Sequence, residues 1–547
     1  MSFGIFLLSL ALKLSIRPVS AFGVGSVDVT NTVGFVREDN QRDTISLLIS
    51  CFATLGLCVY SAVHLNVPPK GERRGWTLLR EFRWCVIGLF APELILYTAW
   101  RQLASARQLR HEVDETRMAE GSKEGQNRRP AKQNPWTITH GFYGSMGGFA
   151  IDLDDLDDKH AFLFGGVKRL TLTGKGVALL AQCGHLPDIS LSDIKDKNKA
   201  DGLAKFLVCI QAGWMIVQVI TRTAVSLPTS LLEVHTVAHV VCALLMYIIW
   251  WHKPRQITSP TLLHGEAIWP LAVYMFMASR MSGEPPLGRM SRFQHSMPEM
   301  KKLDYFEESG RGVGKNETLL TIHHLDNTAH TIVPGHFETR LSNLDLPPSS
   351  PMPLDEVTCE QRRLAAEAVA SYPALRSRFT RSPDSASNTP AHLVPYATEL
   401  VQPHSLDWPN AGLLRRTQSL VIGMVLWGAS MAYGAIHVAA WQYFFPSRIE
   451  QLFWRMSSVW VTFCAAFWLL TNLLAHFFPF VDALWVVYNE RRVGWVGTGV
   501  ITSLCVLCGV SYIVSRAYLV FEAFVSFREV PAGVYITPAW SQVFPHL

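Results

Sequence analysis

Apolar residues in this chain gather into runs long enough to cross a bilayer, and two polar stretches part them. Eight runs read as membrane helices: Ile45–Leu65, Trp84–Trp100, Phe206–Leu227, Leu231–Trp251, Leu262–Ala278, Leu420–Phe445, Val459–Phe480 and Val493–Val514. About 20 apolar residues span the hydrocarbon layer as a helix. The second and fifth runs are the shortest, and each holds a proline, Pro92 or Pro270. Such a proline frees a carbonyl that a neighbour must satisfy, so a kink beside a protein-lined space is expected. The pattern predicts an all-α fold, a polytopic transmembrane helical bundle with about eight membrane helices and two long polar loops.

The first polar loop, 101–204, opens with a charged helix-like run. It continues through Trp136–Gly148, rich in aromatics and glycine, to the acidic cluster Asp152–Asp158. The second, 282–415, is rich in Ser, Pro and Asn, reads as largely disordered, and contains a predicted short helix at Asp355–Ser371. Bundle halves are thus expected at 44–281 and 416–547. Residues 1–21 carry the apolar core Gly4–Leu12 and end in Val19-Ser20-Ala21, which fits a signal peptide lacking its positive n-region or an uncleaved anchor. No internal repeat is evident, which speaks against a transporter built from inverted halves. Lys70, Arg73, Arg74, Arg80 and Arg83 place their loop on the cytosolic side. That orientation sets the sequon Asn316-Glu-Thr318 where it cannot be glycosylated.

Composition strengthens the membrane reading and removes others. Charged residues make up 17% of the chain, against about 25% in soluble domains. A net charge of +5 without a continuous basic stripe is no nucleic-acid signature. Most of the ten cysteines lie in apolar runs, Cys505 and Cys508 among them, and act there as small hydrophobes rather than as a disulfide framework. No nucleotide-binding fingerprint occurs, so no cofactor is expected.

The informative exceptions are three acids in apolar surroundings: Glu93 in Trp84–Trp100, Glu233 in Leu231–Trp251, and Glu522 in Ala517–Phe527. A carboxylate at the bilayer centre costs roughly 2.5–3.5 kcal/mol, so it normally faces the bundle interior. A carboxyl shut away from water tends to keep its proton, which makes each of the three a candidate general acid. Pro92 precedes Glu93, so kink and acid coincide. His235 and His239 share a helix face near Glu233. An HxxxH pair can ligate a metal, but the further histidine boxes of membrane di-iron enzymes are missing, and no metal is expected. Gln211, Gln218 and Arg222 form a polar stripe, and an Arg222–Glu233 ion pair across the turn at Pro228 is expected. Such a pair either fastens two helices or belongs to a site. Glu522 has Arg516 and Arg528 as possible partners. The cluster Asp152-Leu-Asp154-Asp155-Leu-Asp157-Asp158 contains two overlapping DxDD patterns, the acid motif of soluble terpene cyclases, and equally fits a solvated loop.

Several strings resemble a family of fungal multi-pass membrane proteins. They are His64-Leu-Asn-Val-Pro68, Ala91-Pro-Glu93, Trp136-Thr-Ile-Thr-His-Gly-Phe-Tyr143, the helix from Glu233 through His239 to Trp250-Trp-His-Lys-Pro254, and Pro545-His546. Most members have no assigned activity. The resemblance implies the chemistry of membrane-bound terpene cyclases in meroterpenoid pathways such as the ascofuranone pathway. An acid would protonate the epoxide of a farnesylated aromatic substrate, and the cation would cyclise in a dry, aromatic-lined space. Glu93 is the preferred acid, with Glu233, His239 and Glu522 as secondary candidates. Trp84, Trp100, Trp214, Tyr247, Trp441 and Trp460 are candidates for the lining. The implied partners are a hydrophobic small molecule and the lipid bilayer of an endomembrane such as the endoplasmic reticulum. The rival expectation is a non-enzymatic transporter or scaffold, with protein partners undefined.

Overall fold

The computed structural model describes residues 31–37, 42–124, 134–153, 162–197, 202–277, 279, 319–321, 354–375, 393–395, 400–407, 420–478, 480–481 and 494–536. Its first elements are β1 (Thr32–Val33), α1 (Thr44–Ala62), α2 (Arg74–Phe90), α3 (Pro92–Glu124), α4 (Ile138–Ser145), β2 (Phe149–Asp152), β3 (Arg169–Leu172), α5 (Gly174–Gln182) and α6 (Leu191–Lys197). There follow α7 (Gly202–Ala224), α8 (Leu231–Ile249), β4 (Thr261–Leu263), α9 (Trp269–Met277), α10 (Leu354–Ser371), β5 (Val401–Gln402), α11 (Leu420–Ala439), α12 (Arg448–Phe477), α13 (Gly494–Val525) and β6 (Val530–Pro531). The chain is helical, with a small sheet set into it.

Four helices among the described residues are long and apolar enough to cross a membrane: Thr44–Ala62, Leu231–Ile249, Arg448–Phe477 and Gly499–Arg528. The bent pair α2–α3 makes a fifth if it is one span. This corrects the expectation of about eight membrane helices, and two runs show why. Trp84–Trp100 is broken at Ala91, which takes φ −148° and ψ 66°, and the chain turns there by 114°. Pro92 has no N–H to continue the ladder and pushes the residue before it out of the helical region. Leu262–Ala278 opens as strand β4, and its helix α9 has only nine residues. Residues Leu271 to Met277 of α9 are all buried among protein side chains, so the apolarity of that run records a protein core and not lipid. The runs Phe206–Leu227 and Leu420–Phe445 coincide with α7 and α11, which pack into the same bundle.

The bundle packs closely where small residues allow it. A Cβ at Gly434 of α11 would collide with Thr462 of α12, and one at Gly423 with Asn472, so these glycines set the approach of the two helices. Outward faces carry Ile49 and Phe52 on α1, Phe463 and Leu470 on α12, and Leu504, Leu507 and Ile513 on α13, all exposed. A surface so apolar fits lipid, and the chain is a membrane-associated helical protein.

The second correction concerns the polar loops. Residues 134–153 and 162–197 are not a loop; they fold into a domain at one end of the bundle, around a four-stranded mixed sheet of order β4-β2-β3-β5. Strand β2 runs parallel to β4 and antiparallel to β3, which pairs antiparallel with β5. Helices α5, α9 and α10 and the outer half of α3 close a core that includes Leu109, Val113, Phe149, Leu170, Phe276, Ala365 and Val369. The helix expected at Asp355–Ser371 is present as α10, inside this domain. The parts of 282–415 not named above, residues 1–21, the sequon, Asp154–Asp158 and Pro545-His546 lie outside the described residues.

Candidate functional site in the bundle interior

Two of the strings singled out in the sequence, His64–Pro68 and Trp250–Pro254, meet at the seam between bundle and domain. Lys253 is fully buried, and its ammonium donates to His64 O (2.5 Å), Asn66 Oδ1 (3.0 Å) and Gln102 Oε1 (2.7 Å). That uses all three of its N–H groups. The Trp250 indole donates to the same Gln102 oxygen at 3.1 Å, and its ring lies 5.1 Å from that of His64. Asp407 accepts from the Asn66 N–H at 2.6 Å and from Arg80 at 3.3 Å. Burial holds the Asp407 carboxyl above its usual range, against the pull of Arg80. In the domain beyond, Tyr143 OH meets Thr261 Oγ1 at 2.8 Å, and Lys197 donates to both.

The break at Ala91 organises the bundle centre. Because α2 stops there, the Leu89 carbonyl has no helical partner and instead meets His239 Nε2 at 2.7 Å. His239 Nδ1 lies 3.0 Å from the carbonyl of His235, one turn back. Glu93, in the first turn of α3, forms a buried ion pair with Arg516 of α13. Arg516 also donates to Tyr512 OH (3.2 and 3.0 Å), which in turn meets Ser430 Oγ at 2.7 Å. The Arg516 guanidinium sits 3.8 Å from the ring centre of Tyr433. Tyr433 leads to His437, whose Nδ1 lies 2.8 Å from the Tyr433 carbonyl. A carbonyl only accepts, so His437 carries its proton on Nδ1 and offers a lone pair at Nε2. His235 Nδ1, 3.0 Å away, must then be the donor, which leaves the buried His235 Nε2 as an acceptor without a hydrogen-bond partner. Glu93 Oε2 and Arg516 Nη1 are also buried without one.

At the end of the bundle away from the domain, Glu233 is not paired with Arg222 as expected. Its partner is Arg42, at 2.5 Å. Arg222 is buried and donates to four carbonyls, those of Pro228, Gly533, Val534 and Ile536, tying down the segment after α13. Glu233 also closes a capping box on α8: Ser230 N and Oγ each donate to its Oε2 at 2.9 Å, and its own N–H donates to Ser230 Oγ at 3.3 Å. Every one of these contacts serves the start of a helix.

Glu522 differs from the other two acids. It is 2% exposed, and its Oε2 accepts from Tyr518 OH at 3.2 Å, while its Oε1 is buried without a hydrogen-bond partner. Both arginines expected beside it are engaged elsewhere, Arg516 by Glu93 and Arg528 by Glu450. Tyr518 OH also lies 3.2 Å from the Glu450 carbonyl. One turn along α12 from Glu450, the Trp454 indole donates to His437 O at 3.1 Å, so a single helix borders both Glu522 and the histidine group.

The interleaving of α3, α8, α11 and α13 around these groups brings together residues from both ends of the sequence. Residues 17–363 and 411–547 match a family of unknown function, DUF8562. The chain belongs to that family. No curated protein and no solved structure matches it.

Of the residues expected to act, Glu93 and His239 meet in the centre, whereas Glu233 and Glu522 lie toward the far end. Sequence reasoning missed Arg42, Tyr433 and Tyr512. The pairs Tyr433/His437 and Tyr512/Arg516, each four residues apart on an apolar helix, and the string Ser230-Leu-Leu-Glu233 were the signals that could have found the centre and the cap. Asp152, from the acidic cluster, pairs with Lys70 at 2.9 Å on the domain surface. Among the described residues no three His, Cys, Asp or Glu side chains are grouped to hold a metal ion. The aromatics expected as lining are scattered: Trp441 is 41% exposed, and Trp460 donates to Ser511.

Proposed function

We propose that this is a multi-pass endomembrane terpene cyclase that opens an epoxide on a farnesylated aromatic substrate, with Glu522 supplying the proton. The observation that supports this reading is the contrast among the three acids. Glu93 and Glu233 each face an arginine, while Glu522 is buried with a phenol donor and one oxygen without a hydrogen-bond partner. A carboxyl so placed is best accommodated as a neutral acid, the species that protonates an epoxide. In the step, the Glu522 proton passes to the epoxide oxygen and the C–O bond breaks with its electron pair kept by oxygen, which leaves a hydroxyl and a cation on carbon. A double bond of the chain attacks that carbon and so moves the cation to its own far end. A hydroxyl captures this second cation, and its proton returns to the Glu522 carboxylate, so the product is an isomer of the substrate. Tyr518, whose ring packs on that of Phe453 at 5.8 Å, supplies an aromatic face beside the acid.

The test is expression in a host without the pathway, fed a farnesylated phenol epoxide. Wild type should give a product of unchanged mass, and Glu522→Gln should lower its rate about 10²–10⁴-fold. An unchanged rate in that variant overturns the acid assignment, and absence of product from wild type overturns the cyclase reading. One observation favours a carrier or framework instead: Glu93 and Glu233 are both engaged in fastening helices. That reading gives no isomer from detergent-solubilised protein and, for a carrier, substrate flux across vesicles.

A further inference from the structure

Helix α2 has two faces that do not belong to one solvent. Gly75, Leu79, Phe82, Val86 and Phe90, spaced by four or three residues, form one exposed stripe, with Trp76 beside it at 60% exposure. Arg73 and Arg74 are exposed where the helix begins, and Arg83 is exposed next to Phe82 of the stripe. The other face is held at both ends. Near its start, Arg80 pairs with Glu72 and Asp407 at 3.3 Å each, and Asp407 follows the domain strand β5. Near its end, Gly88 packs so closely on Val59 of α1 and Ile95 of α3 that a Cβ would crowd both.

The helix therefore begins at the domain and ends in the bundle. The 114° turn into α3 sets it nearer perpendicular than parallel to that helix. Its charges stop at Arg83, and from Trp84 to Phe90 every residue is uncharged. An oblique helix that is basic and aromatic where it leaves the domain, and apolar where it enters the bundle, matches the chemistry of a leaflet from headgroup inward. Tyr60 and Trp251, both exposed near the ends of α1 and α8, add aromatics at that level.

We propose that α2 is a half-inserted anchor that binds anionic phospholipid headgroups of the leaflet on the domain side, through Arg73, Arg74 and Arg83. Residues 70–83 carry five basic and two acidic side chains; Arg80 is committed to Glu72 and Asp407 and Lys70 to Asp152, and Arg73, Arg74 and Arg83 are the exposed ones. Lysine or arginine near a negative leaflet is attracted to it, within about a Debye length. This reading does not depend on the proposed activity.

The experiment uses the full-length protein in nanodiscs of phosphatidylcholine, with or without phosphatidylserine. Wild type should unfold at a higher temperature with phosphatidylserine and should retain that lipid above its bulk ratio on purification. The triple change Arg73→Gln, Arg74→Gln, Arg83→Gln should abolish both differences while leaving the midpoint in phosphatidylcholine unchanged. The corresponding triple change to Lys should restore them, which separates charge from folding. Equal behaviour of wild type in the two lipids, or a preference that survives the Gln changes, overturns the proposal. So does a Phe82-dependent dimer that forms equally in both lipids, because the stripe would then be covered by a second copy.

Discussion

Two buried cations sit at different depths of this molecule, and their surroundings differ in kind. At the seam, Lys253 has an acceptor for each of its N–H groups. In the bundle centre, Arg516 meets Glu93, Tyr512 and the face of Tyr433, yet Arg516 Nη1, Glu93 Oε2 and His235 Nε2 are left without hydrogen-bond partners. Unmade hydrogen bonds on buried polar atoms cost about 1–3 kcal/mol each, so a network serving only to hold helices together has reason to lose them. The Lys253 ammonium is fully engaged, although Arg80 Nε at the edge of the seam is buried without a hydrogen-bond partner; the Arg516 guanidinium is not. The contrast is between a cation whose every donor is used and one that keeps a donor unused beside a carboxylate oxygen without a hydrogen-bond partner.

The comparison breaks most readily at Arg516. Arg516→Met strands the Glu93 charge among apolar helices, and a loss of about 3–5 kcal/mol of stability is expected. Adding Glu93→Gln should recover much of it, as read by thermal unfolding in detergent. Failure of the second change to recover stability would mean that the two side chains do not act as a pair. Next in size is Lys253→Met, which takes the ammonium from His64 O and Asn66 Oδ1 and leaves Gln102 Oε1 with the Trp250 indole. A loss of about 2–4 kcal/mol is expected. If the seam is a clasp, the surviving folded fraction should keep the wild-type rate of the proposed isomerisation, measured per folded molecule.

The smallest effect is a pH dependence confined to the domain. Burial lowers the His140 pKa, against the hydrogen bond to the Ile189 carbonyl, and burial also lowers that of His185. A histidine whose folded pKa lies below its unfolded value, about 6.5, binds more protons when unfolded. Domain stability should therefore fall as pH drops below about 6.5, and should be complete above it. Melting followed against pH should show this slope in wild type and a shallower one in His140→Gln. A slope of the same size in both would remove His140 from the account.

Much of the bundle was legible because periodicity and length carry it: α1, α8, α12 and most of α13 lie where apolar runs place them. What misled was apolarity without context. The run ending at Ala278 is as greasy as a span, but α9 is wrapped by Phe164, Val357 and Val369, and only tertiary packing tells lipid from protein core. The domain escaped notice because its strands are two to four residues long and come from four separate parts of the chain. The three acids were visible as residues that must be satisfied, but their partners were not. Arg42 and Glu233 are 191 positions apart, and Glu93 and Arg516 are 423 apart. Only the local ring pairs on α11 and α13, and the cap at Ser230, were written in the sequence at short range.

Helix α3 starts beside the buried Glu93–Arg516 pair and ends past Leu109 and Val113 in the domain core, without a described break. At 33 residues it is a rod of about 50 Å. A small tilt of its inner turn is thus magnified at its outer tip. Arg516, through Glu93, holds the short end of a lever whose long arm is planted in the core of the domain.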